Sequence, residues 1–156
     1  MKSNFEFLRR YWPALAEIGA TAEGYLFTDP NSCIFKLGMF GERVVSEIFA
    51  VEHLRTPEAD DSQAARIRIL KREGLLPSNI DDIFYTLRQQ RNKAVHAGLD
   101  SLADAKTLLE MTYRLACLWK CMAIGVISLI RLLCQRKRWR LIMLLCLLKR
   151  KRRLSN

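Results

Sequence analysis

The fold is decided by the stretch Ser78–Gly98, which reads SNIDDIFYTLRQQRNKAVHAG. Ser78 is a favourable N-cap, Asp81 can act as the acidic partner in a capping box, and Gly98 suits the position just after a helix. Between these ends the apolar residues recur at the helical period. They form one stripe about 100° wide, made of Ile80, Ile83, Phe84, Leu87 and Ala94. The stretch therefore predicts an amphipathic helix with one face in a core.

Three polar residues near the end of this predicted helix are candidates for chemistry. Arg91 falls inside the apolar stripe, where a guanidinium must pair with a carboxylate or line a site. Asn92 and His96 lie one turn apart and can touch each other. The purely structural interpretation is that Arg91 pairs with Glu42 or Glu47 and that His96 interacts with the helix dipole.

The same residues carry a resemblance to a known family. Arg91-Asn92, followed by His96, matches the R-x4-6-H signature of the HEPN superfamily of prokaryotic defence and toxin proteins. A longer set of stretches resembles the HEPN-like helical domain at the N-terminus of type I restriction enzyme R (restriction) subunits and related helicases. The resemblance covers about residues 3–119, and its matching stretches are 29–33, 36–42, 66–77, 80–83, 87–88 and 91–96.

The resemblance implies an accessory role in a defence protein. In the resembled R subunits, a nuclease and an ATP-driven DNA translocase lie downstream of this domain. The sequence here holds no Gly-x-x-x-x-Gly-Lys-Ser/Thr phosphate loop and no helicase motor. We therefore expect a truncated protein whose domain has a binding or assembly role, with restriction-modification subunits as its partners.

The alternative function is that of a metal-independent endoribonuclease of the HEPN type, acting alone like a toxin. An RNA 2′-hydroxyl would attack the adjacent phosphate, and His96 would move the proton, because its reference pKa is near neutrality. Arg91 would neutralise charge on the phosphate in the transition state. Asn92 would orient the imidazole or hold a phosphate oxygen. The predicted catalytic set is therefore Arg91, Asn92 and His96.

The ribonuclease hypothesis requires a second copy of the chain or a break in the helix. On one ideal helix Arg91 and His96 point about 140° apart. They converge only if the helix loosens near Ala97-Gly98 or if a partner copy completes the site. Resembled HEPN ribonucleases place the motif at a dimer interface, so this hypothesis predicts a homodimer through the signature helix.

The composition changes abruptly after Trp119. Residues 1–119 hold 15 Lys and Arg and all 16 Asp and Glu, a net charge of −1, whereas residues 120–156 hold 11 Lys and Arg and no acid. The overall charge of +10 therefore belongs to the tail and does not make the first domain a basic nucleic-acid binder. We expect a domain at 3–119 and a separate tail at 120–156.

Three interpretations of the tail remain open. Regrouping the codons of Lys120–Ile124 by one frame permits Met-Tyr-Gly-Asp-Trp, which looks like the continuation of the resembled family, so the favoured interpretation is an out-of-frame tail. A second interpretation is a membrane anchor, because residues 115–134 are nearly apolar and a basic cluster follows them. The third is a basic arm that binds RNA or DNA through its charge.

The rest of residues 3–119 predicts further helices and no strands. The expected helices run from Asn4 to about Phe27, with Pro13 as a kink or the true start, from Asp29-Pro30 to about Val51, from Ser62 to Glu73, and from Ser101 to at least Trp119. Trp12, Phe27, Phe35, Phe40 and Phe84 are expected in the core. The predicted fold class is all-α, a single HEPN-like helical bundle followed by the basic and hydrophobic tail.

No cofactor or metal is expected from the sequence. The five cysteines form no Cys-x-x-Cys pair, and the acidic pairs Asp60-Asp61 and Asp81-Asp82 lie near helix starts, where acids favour the helix dipole. There is no secretory signal at the N-terminus. The expected location is the cytoplasm, with membrane association through the tail as the alternative.

Overall fold

The computed structural model describes residues 3–56, 60–76 and 78–125. Within these ranges the chain is helical and contains no strand, which confirms the all-α prediction. A short 3-10 helix at Glu6–Leu8 precedes five α-helices. These are α1 (Pro13–Tyr25), α2 (Pro30–Val51), α3 (Gln63–Arg72), α4 (Ser78–Ala97) and α5 (Leu102–Gly125).

The helix ends follow the local signals in the sequence. Asp29 caps α2 by accepting a hydrogen bond from the Ser32 backbone N–H at 3.0 Å. Hydrogen bonding from the Ser32 side chain, and then from its backbone, lowers the pKa of the Asp29 carboxyl. Pro30 occupies the first turn of α2, where its missing N–H costs nothing. Gly74 and Gly98 have positive φ angles of 68° and 61°, as expected for residues that follow a helix. The predicted helix starts and stops from Asp29 to Gly98 are therefore confirmed to within a residue or two.

Helix α2 is central because it packs against α1, α3, α4 and α5. Eight of its apolar side chains are buried, and they cover more than one face of the helix. They are Cys33, Ile34, Leu37, Phe40, Val44, Val45, Ile48 and Phe49. The predicted stripe of α4 faces this helix, since Ile80, Phe84, Leu87 and Ala94 are all at most 5% exposed.

The N-terminal residues differ from the prediction of one long first helix. Residues 3–12, here called the N-terminal strap, hold only the 3-10 turn, and α1 begins at Pro13. Asn4 does not cap a helix; its side-chain amide donates to the Glu23 carboxylate at 2.6 Å. Phe5 is fully buried and lies against Gly19 of α1. The strap is therefore held by tertiary contacts that a helical period does not reveal.

Two apolar residues at helix ends are exposed, and one of them, Phe27, was predicted to lie in the core. Phe27 follows the last turn of α1 and is 72% exposed, and Val51 ends α2 and is 52% exposed. Both lie at helix ends, where the apolar stripe extends past the elements that cover it. Phe40 and Phe84 are buried as predicted, whereas Trp12 and Phe35 are half-buried.

The predicted boundary at Trp119 falls inside a helix. Helix α5 continues to Gly125, and Trp119 is buried against Trp12 with ring centroids 5.4 Å apart. The rest of the tail, and with it residues 126–134 of the predicted membrane span at 115–134, lies outside the described residues. Among the helices that the structure describes, none is both long enough and apolar enough to cross a membrane.

The contact between the strap and α1 can be tested at two glycines of the same helix. A Cβ at Gly19 would lie 2.3 Å from Cγ of Phe5, whereas a Cβ at Gly24 meets nothing within 4 Å. We expect Gly19→Ala to lower the free energy of unfolding by about 1–3 kcal/mol, because the buried ring must move. Gly24→Ala should raise it by about 0.5–1 kcal/mol through helix propensity alone. Chemical denaturation of both variants measures the difference, and equal effects would contradict the packing of Phe5.

Candidate functional site

The candidate site lies along the contact between α2 and α4, where Arg91 crosses from the core to the surface. A Cβ on Gly38 would lie 2.4 Å from Cβ of Arg91, so the two helices approach closely only because position 38 has no side chain. The Arg91 guanidinium carbon lies 5.4 Å from the centre of the Phe35 ring, a cation–π contact. The stem of Arg91 is therefore packed, and its head reaches the surface, with 32% of the side chain exposed.

The Arg91 head has polar partners at long distances. Its Nη2 lies 3.8 Å from Oε1 of Glu42, and its Nη1 donates to Oδ1 of Asn92 at 3.4 Å. The Nε atom is buried and has no hydrogen-bond partner among the described residues. The predicted pairing with Glu42 is thus present but loose, and an exposed pair of this kind contributes at most about 1 kcal/mol. Glu47 instead pairs with Arg43 at 2.7 Å.

Asn92 and His96 do not share a hydrogen bond in the described part of the chain. The Asn92 side chain is half-buried and turns its oxygen towards Arg91, whereas His96 is exposed. Helix α4 stays helical through Ala97, so the loosening considered near Ala97-Gly98 is not seen. Arg91 and His96 therefore point about 140° apart within one chain. The structure brings Arg91 and Asn92 together and leaves His96 on another side of the helix.

Sequence reasoning missed Asn31, which holds the last turn of α4 in place. Its side-chain Nδ2 donates to the backbone oxygens of Ala94 at 2.9 Å and of Leu99 at 2.8 Å. These carbonyls lie at the C-terminus of α4, where helical partners run out. The two bonds span 63 and 68 residues of sequence, so no local pattern could have indicated them. Asn31 positions the turn that carries Asn92 and His96.

The charged residues near the other helix starts are paired within the fold. Asp60 accepts a hydrogen bond from the Ser62 backbone N–H and pairs with Arg68. Hydrogen bonding from the Ser62 side chain, and then from its backbone, lowers the pKa of the Asp60 carboxyl. Lys71 Nζ lies 2.6 Å from Oδ2 of Asp81. Among the described residues, no cluster of three or more His, Cys, Asp or Glu could hold a metal ion.

Comparison with known proteins finds one curated relative of this chain. Among curated proteins, the type I restriction enzyme EcoKI endonuclease subunit of Escherichia coli (strain K12) is 34% identical to this chain over 115 residues, or 74% of the chain. This chain is a distant homologue of a type I restriction enzyme endonuclease subunit. The match spans 10% of that subunit's length. No protein-family model matches the chain, and no solved structure matches it.

The role of Asn31 predicts a measurable loss of stability. Asn31→Ala removes two hydrogen bonds and leaves two carbonyls without that donor, so we expect the free energy of unfolding to fall by about 1–3 kcal/mol. Asn92→Ala removes one long hydrogen bond at the surface and should cost less than about 0.5 kcal/mol. Chemical denaturation measures both values.

Hydrogen exchange locates the effect of the same variant. In Asn31→Ala, amides in the last turn of α4 should exchange faster than in the parent chain, whereas those in the middle of α2 should change little. If Asn31→Ala lowers the free energy of unfolding no more than Asn92→Ala does, the positioning role of Asn31 is contradicted.

Proposed function

We propose that this chain is an accessory module of a type I restriction system, with a role in binding or assembly. The observation that carries the proposal is the homology to an endonuclease subunit over 115 residues, a length close to that of the unit from the N-terminal strap to α5. An isolated unit of this size supplies one small helical core. The endonuclease subunit is by its name part of a larger enzyme, so an exposed helical module is suited to contact other subunits.

The contacts of Arg91 support a binding role rather than independent catalysis. Its stem is packed against Gly38, and its head is shared between Phe35, Glu42 and Asn92. The stem of this arginine is fixed, and its head has only long polar contacts at the surface, so the guanidinium is available to bind a carboxylate or phosphate on a partner. We propose that the module is HEPN-like in fold, and that Arg91 and Asn92 lie on its binding face.

Binding to the other subunits of the EcoKI enzyme tests this proposal. The chain, mixed with those subunits, should co-elute with them in size-exclusion chromatography. The matched fragment of the EcoKI endonuclease subunit, of about the same 115 residues, serves as the positive control. Arg91→Ala should weaken the complex. Arg43→Ala, which changes an exposed arginine on α2, should leave it unchanged. Co-elution of the EcoKI fragment but not of this chain would contradict the proposal.

RNA cleavage is the second candidate function, and the exposed ring of His96 favours it. The exposed His96 ring forms no hydrogen bond or ion pair with the described residues, so both ring nitrogens are accessible to a substrate. Arg91 and Asn92 would bind the phosphate. Because Arg91 and His96 diverge on one helix, the site would combine Arg91 and Asn92 of one copy with His96 of a second copy in a homodimer through α4.

The ribonuclease proposal predicts cleavage of RNA in EDTA by the purified full chain. Arg91→Ala and His96→Ala should each abolish it, because each removes one part of the site. Mixing the two inactive variants should restore part of the activity, since a mixed dimer contains one intact site. His53→Ala is the matched control, an exposed histidine outside α4, and should retain full activity. Intact RNA with the parent chain would rule this function out.

A further inference from the structure

Helix α4 has a second stripe of residues on its outer side, away from the stripe that lies in the core. Tyr85, Arg88, Asn92 and Val95 are spaced three, four and three residues apart, so they lie within about 80° of one another around the helix. This heptad spacing is that of the residues through which one helix packs along another. Tyr85 is 53% exposed and Val95 is 50% exposed. We call these four residues the outer stripe.

The aromatic end of the outer stripe is held in place by its neighbours on α4. The Arg88 guanidinium carbon lies 5.7 Å from the centre of the Tyr85 ring, and Nε2 of Gln89 donates to the Tyr85 hydroxyl. An exposed side chain that is already ordered loses little conformational entropy when a partner covers it. Tyr85 is therefore suited to act as an aromatic anchor in a protein interface.

The outer stripe lies in a part of α4 that has positive charges and no negative ones. From Ile83 to Leu99 the sequence holds Arg88, Arg91 and Lys93, and it holds no Asp or Glu. Of these three cations, only Arg91 forms an ion pair with a described residue, and its Nη2 lies 3.8 Å from Oε1 of Glu42. The positive charge beside the outer stripe is therefore largely uncompensated, which favours a partner that presents carboxylates.

The charge and the apolar side chains of this surface together favour one kind of occupant. A nucleic acid would neutralise the cations, but its backbone offers no apolar surface to the aliphatic side chain of Val95. A second copy of this chain would bring the same cations to the interface, where like charges repel. An amphipathic helix with acidic residues can both cover Tyr85 and Val95 and pair with the arginines beside them.

We infer that the outer stripe of α4 packs against an acidic amphipathic helix on another subunit of a type I restriction enzyme. Carboxylates of that helix would face Arg88 and Arg91, which borders the outer stripe. This inference rests on the proposed function, and it names the surface through which the module binds and the chemistry of its partner.

The test measures the affinity of the full chain for the other EcoKI subunits by titration calorimetry. Arg88→Glu places a carboxylate in the outer stripe, so we expect it to weaken binding by about tenfold or more. Arg10→Glu is the matched control, because the Arg10 guanidinium also lies over a tyrosine ring, that of Tyr11 at 5.3 Å, but belongs to the N-terminal strap. It should leave binding within about twofold of the parent chain. The affinity of the parent chain should fall as salt is added, and Arg88→Glu should make this dependence weaker.

The two variants should keep the melting temperature of the parent chain, because each arginine lies over a tyrosine ring and pairs with no acid among the described residues. If the subunits bind the parent chain and Arg88→Glu equally well, or bind the parent chain without any dependence on salt, the proposed function stands and the assignment of the outer stripe fails. If the parent chain binds none of the subunits, both fail. A chain that instead forms a dimer, or binds RNA or DNA, in a way that Arg88→Glu abolishes would also overturn the inference.

Discussion

The close approach of α2 and α4 is the constraint on which the rest of the structure depends. Gly38 and Gly41 of α2 face α4, and added Cβ atoms would lie 2.4 Å from Cβ of Arg91 and 3.2 Å from Cδ1 of Leu87. Because these positions lack side chains, Leu87 and Phe84 reach the core formed by α2, and the Arg91 stem lies flat on the helix. Any larger residue at position 38 would push α4 outward and remove both the packing and the placement of the guanidinium.

This contact also explains how an arginine can lie on an apolar stripe. Burying a charged head would cost several kcal/mol, but only the Arg91 stem and Nε are enclosed, and the head emerges beside Phe35 and Glu42. Asn31 then fixes the end of the same helix from α2. The surface formed by Arg91 and Asn92 is thus held by α2 at two points, which would give the proposed binding face the rigidity that recognition needs.

Much of this fold could be predicted from sequence because its helix ends carry local chemical signals. Asp29-Pro30, Ser62, Ser101 and Gly98 each satisfy a backbone group or a φ requirement that is set within four residues. The position of Arg91 in the stripe also follows from helical spacing, whereas the sequence left its partner open between Glu42 and Glu47. The predictions that were wrong concern features that tertiary contacts determine. The strap is held by Glu23 and Gly19 of another element, so Asn4 is no helix cap.

Asn31 and Phe27 illustrate the same limit. The bonds of Asn31 join residues more than sixty positions apart, and the exposure of Phe27 depends on which elements end beside it. The roles of Arg91, Asn92 and His96 came from a resemblance and a motif, and they remain predictions because the geometry of a single chain separates His96 from the other two residues. Helix formation could therefore be predicted from the sequence, whereas the long-range packing of the helices could not.

The central claim is that this helical unit can replace the matched 115 residues, 10% of the length, of a type I restriction endonuclease subunit. The most direct test replaces the matched 115 residues of the EcoKI endonuclease subunit with the corresponding residues of this chain and measures DNA cleavage by the reconstituted enzyme. The subunit with the same residues deleted is the baseline. Cleavage well above that baseline, approaching that of the intact subunit, is the predicted result. A folded chimera whose enzyme cleaves no better than the deleted subunit would contradict the account.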